Sequence, residues 1–458
     1  MFVKIIREIH RVLGIVLGTL FFVWFASGLV MVYHTFPKVT KDDRVERFDY
    51  LADANLPSGL LVGRKTPLTI SSYLGEVRVN GKALSGAEPK VWDVARRWNS
   101  SEIVRVDTLY KLEQWIPFDR YEKMMPIYKF YYGDEAKHQL YVASTNGDVL
   151  QYTSRKSRFW AWLGAIPHWV YFTRLRQNTA LWVSVVVWLS ALGCVMCVAG
   201  MFMSLYDAIK TKRIVPFRKF WFKWHHILGL VFGLVALAFA FSGLMSLANI
   251  SGWLPKPTME VSPQRVLSRG VDIRTTFKLD YRDVLRRYPE AKELEFTAVA
   301  GIPYYVVRTD STAHYISANS TVVKELELAE NECNSIVRFV HGEDAILTTD
   351  YMTEYDRYYV GRKGRYALPL WRVEVVGDAD MSRYYINPHT ANVNYVNYTA
   401  RVRHWLYPAL HSLRFVWLVK YPLLWTVVMW LFMVGGALLS LSGVWLGIRY
   451  LYRFVRRR

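Results

Sequence analysis

The chain reads as an α-helical membrane protein: four transmembrane helices from an internal duplication, with two α+β extracytoplasmic domains. Three observations predict this. Strong hydropathy falls in four blocks of spanning length, at about 13–32, 180–205, 227–250 and 423–446. Basic residues crowd particular ends of these blocks. Two sets of residues recur along the chain at constant offsets.

The first block opens HRVLGIVLGTLFFVWFASGLVM, and the third opens HHILGLVFGLVALAFAFSGLM. His10, Gly14, Gly18, Ser27 and Gly28 match His225, Gly229, Gly233, Ser242 and Gly243, each at a shift of 225 − 10 = 215. On a helix, offsets of 4, 8 and 18 residues fall at roughly 40°, 80° and 0° from the histidine, so each histidine shares one face with its glycines. Small residues on a membrane helix let backbones approach closely. Beside a histidine they also leave room for a flat, bulky group, and a haem held by an axial imidazole fits that description.

Lys4, Arg7 and Arg11 precede the first block. It is longer than the apolar core of a cleaved signal and is followed by Phe36-Pro37 rather than a small-x-small site, so it reads as a retained anchor. The first long loop then mixes strand and helix signals. LTISSYL and EVRVNGKAL form a hairpin with Asn80-Gly81 as a turn, KVWDVARRW an amphipathic helix, and MPIYKFYYG, KHQLYVAST and VLQYTS antiparallel strands. An aromatic stretch at 158–172 carries His168 ahead of the second block, in the manner of a bilayer interface. Lys210, Lys212, Arg213, Arg218, Lys219 and Lys223 fill the short link to the third block.

The second long loop runs helix to strand at YRDVLRRYPEAKELEFTAVAG, then through a hairpin, a further helix and strands ending at SRYYINPHTANVNYV. Its later part repeats the first half at a shift of 411 − 168 = 243. Pro126 matches Pro369, Trp162-Leu163 matches Trp405-Leu406, His168 matches His411, and Trp182, Gly193 and Gly200 match Trp425, Gly436 and Gly443. Arg449, Arg453 and Arg456–Arg458 close the chain. Short basic segments face the cytoplasm, which places both termini inside and both long loops outside. The expected organisation is a transmembrane helix at 1–35, a first outer domain at 36–160, an interfacial segment and second helix at 161–206, and a cytoplasmic link at 207–221. A third helix at 222–250, a second outer domain at 251–402, and a last interfacial segment, fourth helix and basic tail at 403–458 follow.

The duplication gives two histidine pairs. His10 and His225 start helices that run outward, so they share a depth near the cytoplasmic face, while His168 and His411 share a depth near the outer face. A four-helix bundle with each pair facing across its axis would hold two haems, one towards each side. Adjacent His226 competes with His225, and register with His10 favours His225. His34, at the far end of the first helix, matches Asn249. Arg174 and Arg403 near the interface are candidate partners for haem propionates. Cys194 and Cys197 lie inside an apolar block and Cys333 is alone, so neither a disulfide framework nor a zinc site is indicated.

The net charge of +20 raises nucleic acid as a partner, but much of the positive charge flanks apolar blocks and reports topology instead. No G-x-G-x-x-G follows a strand in a cytoplasmic segment, so an electron donor has to be a quinol or a separate reductase. The apolar blocks also lack the intramembrane acids and broken helices of a transporter.

The H-x3-G-x3-G…S-G-L helix, the interfacial Trp-Leu-x4-His and the LYVASTNGDVLQY pattern resemble the PepSY-associated transmembrane proteins. In the second copy the turn TNGD becomes HTAN, at His389 to Asn392. The resemblance implies PepSY-like outer domains, two haem b groups on His10, His168, His225 and His411, and a role as a ferric-siderophore reductase in iron acquisition. A non-redox reading competes with it, in which the outer domains bind a peptide, siderophore or protein and the helices only anchor them.

Overall fold

The computed structural model describes residues 1–57, 59–248, 257–310, 312–362 and 364–456. Asn249, the end of the third hydropathy block, the first residues of the second long loop (251–256), and Arg457 and Arg458 of the basic tail lie outside them. Among the described residues, four helices are long and apolar enough to cross a membrane: Phe2–Met31, Thr179–Thr211, Phe220–Leu247 and Pro422–Val455. They are the first to fourth spanning helices below. Each begins or ends beyond its apolar block, because the flanking lysines and arginines are good helix formers whose long stems lie along apolar surface. His10 and His225 therefore sit within their helices rather than at the first residue.

The first helix packs against the second and fourth, and the third also packs against the second and fourth. First and third are thus diagonal, and residues on their inward faces meet across the bundle axis. Phe21, Phe25, Phe239, Met196, Met429 and Met433 fill the interior. Glycines admit the large rings: a methyl group at Gly193 would lie 2.5 Å from Phe21, and one at Gly436 2.4 Å from Phe25.

The two long loops fold together at one end of the bundle, here termed the sheet-bearing end; the other is the basic end. Strands β1 (Leu68–Tyr73), β2 (Glu76–Val79) and β3 (Lys82–Ala83) form a meander. It is followed by the helix Val91–Trp98 and a second meander of β4 (Ile103–Leu109), β5 (Ile127–Tyr132), β6 (Gln139–Ala143) and β7 (Val149–Thr153). The second loop supplies β8 (Glu293–Val299), β9 (Ile302–Arg308) and β10 (Ala313–Ser317), then the helix Glu330–His341. A third meander follows: β11 (Leu347–Met352), β12 (Leu370–Val375), β13 (Arg383–Ile386) and β14 (Val393–Val396).

Strands from the two long loops pair with each other. β1 pairs antiparallel with β8, Leu68 opposite Phe296, giving one six-stranded sheet ordered β10-β9-β8-β1-β2-β3. One face buries Leu68, Ile70, Leu294, Phe296 and Tyr305 against the helix Tyr281–Arg287, and the other meets the helix Glu330–His341 and the β11–β14 meander. The β4–β7 meander rests on the bundle: Ile127, Tyr141 and Leu150 pack with Phe36 and Ile166. Asn80 and Gly81 both take positive φ, as the predicted turn requires.

Candidate functional site

The histidine singled out in each frame meets its counterpart. The His10 and His225 rings have centroids 6.2 Å apart near the basic end, and those of His168 and His411 are 6.1 Å apart near the sheet-bearing end. From His10 to Ser27, which contacts His168, is 27 − 10 = 17 residues along one helix, and 242 − 225 = 17 separates His225 from Ser242. At 1.5 Å rise per residue the two pairs are about 25 Å apart along the bundle.

Each imidazole is held by its Nδ1. His10 Nδ1 lies 2.9 Å from the Met196 carbonyl, and His168 Nδ1 lies 3.1 Å from the Trp24 carbonyl and 3.3 Å from Ser27 Oγ. His225 Nδ1 is 2.9 Å from Ser442 Oγ, and His411 Nδ1 is 3.0 Å from Ser242 Oγ. The serine hydroxyls have already given their protons away. Ser27 donates to Val23 O, Ser242 to Ala238 O and Ser442 to Leu439 O, at 2.6, 2.6 and 2.7 Å. A carbonyl accepts only, and a hydroxyl whose proton is spent accepts as well. The carbonyls call for the Nδ1–H tautomer in His10 and His168, and serines that donate to their own helices suit the same tautomer in His225 and His411, which leaves an Nε2 lone pair on each ring without a partner among the described residues.

Two such lone pairs cannot hydrogen-bond each other. An electron-pair acceptor between them satisfies both. An imidazole nitrogen binds a first-row metal at about 2 Å, and the ring centre lies about 1 Å behind it, so two rings on one metal have centres about 6 Å apart. Both pairs meet that spacing, and the Nδ1–H bonds are the supports that metal-bound histidines use. No group of three or more His, Cys, Asp or Glu able to hold a metal occurs among the described residues. Two imidazoles are too few for a bare ion but are the axial set of a metal that brings its own equatorial ring, so the donor set fits haem.

Backbone and indole groups aim the second pair. Val170 and Leu413, each two residues past a histidine, take φ of 55° and 49°, the left-handed region that residues other than glycine rarely enter. There the histidine-bearing turns end. Trp182 Nε1 donates to Trp169 O at 2.8 Å, and Trp425 Nε1 to Ser412 O at 3.1 Å, closing each turn from the following spanning helix.

The candidate glycines divide. Gly14 has nothing within 4 Å of an added methyl and Gly229 only Leu439 at 3.9 Å, so both border open space. Gly18 and Gly233 are packing contacts, against Val444 and Met201. The glycines that admit the imidazoles are others: a methyl at Gly200 would lie 2.6 Å from His10, at Gly443 3.2 Å from His225, and at Gly28 3.2 Å from His168. Gly200 and Gly443 were visible in the sequence only as matched positions.

Residues 7–449 match the PepSY-associated TM region. The chain belongs to that family. A search of curated proteins finds no match. The family match and the apolar helices make it a multi-pass membrane protein.

In this PepSY-associated protein the competing histidines are otherwise engaged. His226 is buried with Nδ1 3.1 Å from Ser204 Oγ and Nε2 2.7 Å from Ile214 O, so His225 is the one that faces His10. His34 stacks on Trp160 at 4.4 Å. Arg174 and Arg403 are exposed and form no ion pair among the described residues. Of the loop histidines, His138 pairs with Asp134, and His341 Nε2 lies 2.8 Å from Tyr384 Oη.

Proposed function

We propose that this protein is a di-haem b reductase of the inner membrane that passes electrons to a periplasmic ferric chelate, a ferric siderophore above all, for iron acquisition. The observation that carries this reading is the pair of facing imidazole sets, each with Nδ1 tied back and Nε2 unpartnered among the described residues. Bound at these residues, haem would supply one-electron redox chemistry. His10 and His225 would hold one group, His168 and His411 the other. Met196, Ser27, Ser242 and Ser442 keep the rings from rotating, and Phe21, Phe25 and Phe239 exclude water from the space between the two sites.

The recurrence of both frames supports an origin by internal duplication. The basic flanks support cytoplasmic termini and a periplasmic position for the sheets. A quinol or a separate reductase would supply electrons.

The test is a reduced-minus-oxidised visible spectrum of the purified protein, followed by addition of a ferric siderophore to the reduced sample under argon. Bands of b-type haem that revert to the oxidised form as the chelate is added are expected. A colourless protein, or reduced haem that no ferric chelate reoxidises, would remove the reductase reading.

A further inference from the structure

The sheet-bearing end carries an arginine cluster beside His411. Arg414 lies three residues beyond His411, partly buried, beside the side chains of Tyr366 and Tyr407. The Tyr407 ring is 5.3 Å from the His411 ring. The loop before β12 brings two more arginines to the same place. Val360 anchors that loop in the bundle core, and the Tyr355 and Tyr359 hydroxyls donate to the Tyr366 and Ala367 carbonyls, both at 3.0 Å. Arg362 lies 3.2 Å from the centre of the Trp425 ring, the indole that closes the His411 turn. Arg365 lies 5.7 Å from the centre of the Tyr366 ring, and its charge adds to burial in lowering the Arg414 pKa.

None of these three arginines forms an ion pair among the described residues. The neighbouring carboxylates are committed elsewhere, Asp356 to Arg372 and Arg383 and Glu354 to Lys420. Like charges gathered beside apolar rings without a counter-ion are unfavourable unless an anion joins them. The first half of the chain is an internal control. At the shift of 243, Asp119 stands for Arg362, Glu122 for Arg365 and Tyr171 for Arg414. That half stacks Arg176 on Trp182, but Arg176 donates to Thr179 Oγ1, which in turn donates to Asp119. The scaffold therefore does not require the arginines, since acids stand at two of the equivalent positions.

We propose that Arg362, Arg365 and Arg414, with Tyr366 and Tyr407, form a carboxylate-binding site beside His411. Guanidinium forks recognise carboxylates in bidentate geometry, and the tyrosines add hydroxyl donors. Such carboxylates come either from the edge of a haem held by His168 and His411 or from an acidic iron chelate reaching that site. The purpose rests on the redox reading above; the anion chemistry rests on the arginines alone.

The experiment compares the full-length protein with Arg365→Gln, with Arg365→Gln/Arg414→Gln, and with a charge-matched control on exposed arginines elsewhere, Arg274→Gln/Arg287→Gln. Binding of gallium(III) citrate, a redox-inert anionic chelate, is measured by calorimetry, and haem loss by transfer to apomyoglobin. If the chelate is the ligand, its affinity falls about tenfold in the single variant and about 100-fold in the double, tenfold for each charge-assisted bond lost, while haem loss is unchanged. If the haem edge is the ligand, haem loss quickens by similar factors and chelate binding is unchanged. Both readouts matching the control overturn the proposal. Should the protein hold no haem, the citrate arm still decides the anion site: binding that the substitutions abolish upholds it, and no binding overturns it.

Discussion

At the scale of single residues, the decisive groups are hydrogen-bond acceptors rather than the histidines themselves. Four imidazoles in a membrane protein have many uses; four imidazoles whose Nδ1–H is fixed by a carbonyl or a spent hydroxyl have few. Removing such a support from a metal-bound histidine costs about tenfold in affinity. Ser242→Ala is therefore expected to quicken haem loss at the sheet-bearing end about tenfold, with the basic-end site untouched, whereas Ser27→Ala should do less because the Trp24 carbonyl still holds His168 Nδ1. Two-phase kinetics of haem transfer to apomyoglobin check this, and a single unchanged phase would count against it. The serines were legible as a repeated pair, but their purpose was not: Ser27 meets a histidine 141 positions away, a distance that no helical period reveals.

A second residue-scale prediction concerns Asp356. Burial pushes its carboxyl up, but backbone N–H groups of Tyr359 and Tyr358, the Tyr385 hydroxyl and Arg383 together hold it below the usual carboxylate range. A carboxylate depressed on folding adds stability that is complete above its unfolded value and lost as pH falls through its folded value. Thermal unfolding of the sheets should be insensitive to this group from pH 8 to about pH 5 and lose stability below about pH 4. Asp356→Asn should cost about 2 kcal/mol at neutral pH by weakening the charged bonds to Arg383 and Tyr385, Arg383 keeping Glu374, and should flatten the acid limb. An unaltered acid limb in the variant would show that the stability is held elsewhere.

At the scale of elements, glycine positions separate two kinds of closeness. Gly200→Val fills the space that the His10 ring occupies and should abolish the basic-end haem while leaving the sheet-bearing one, read as a halved haem content. Gly14→Leu meets no protein atom within 4 Å at its β-carbon, so the bundle should fold and keep its melting temperature. If the space beside His10 belongs to a flat cofactor, the same variant should still lose the basic-end haem. Retention of both haems in Gly14→Leu would mean that the open face serves lipid. The sequence pointed to Gly14, Gly18, Gly229 and Gly233 as one set because they share a helix face. Only neighbouring helices divide that set, and neighbours are set by packing, which a single helical period does not contain. Helix existence was easy to read, since apolar runs of spanning length have few alternatives. Helix ends were harder, because the basic residues that flank each run also favour helix.

At the scale of the whole molecule, the four spanning helices and most strands followed from hydropathy and alternation, but the joining of the two loops did not. Leu68 and Phe296 are 296 − 68 = 228 positions apart, and antiparallel pairing between distant strands leaves no local mark. The shared sheet has a mechanical consequence: deleting residues 68–83 uncovers the β8 edge and should make the protein aggregate. The facing of His10 with His225 and of His168 with His411 was legible, because the same frame recurs at a constant shift and puts equivalent residues at the same place along their helices. The closing turns at Val170 and Leu413 were not, since nothing in either residue type favours positive φ.

The central claim is that each facing pair of imidazoles holds one haem, and the most direct measurement is haem stoichiometry in single-histidine variants. Purified wild-type protein, His10→Ala, His225→Ala, His168→Ala and His411→Ala are compared by pyridine haemochrome against protein concentration. The account predicts two haems per chain in the wild type and about one in every variant, with His10→Ala and His225→Ala losing the same spectral component and His168→Ala and His411→Ala the other. Wild-type protein without haem, or variants that all keep two, would contradict it.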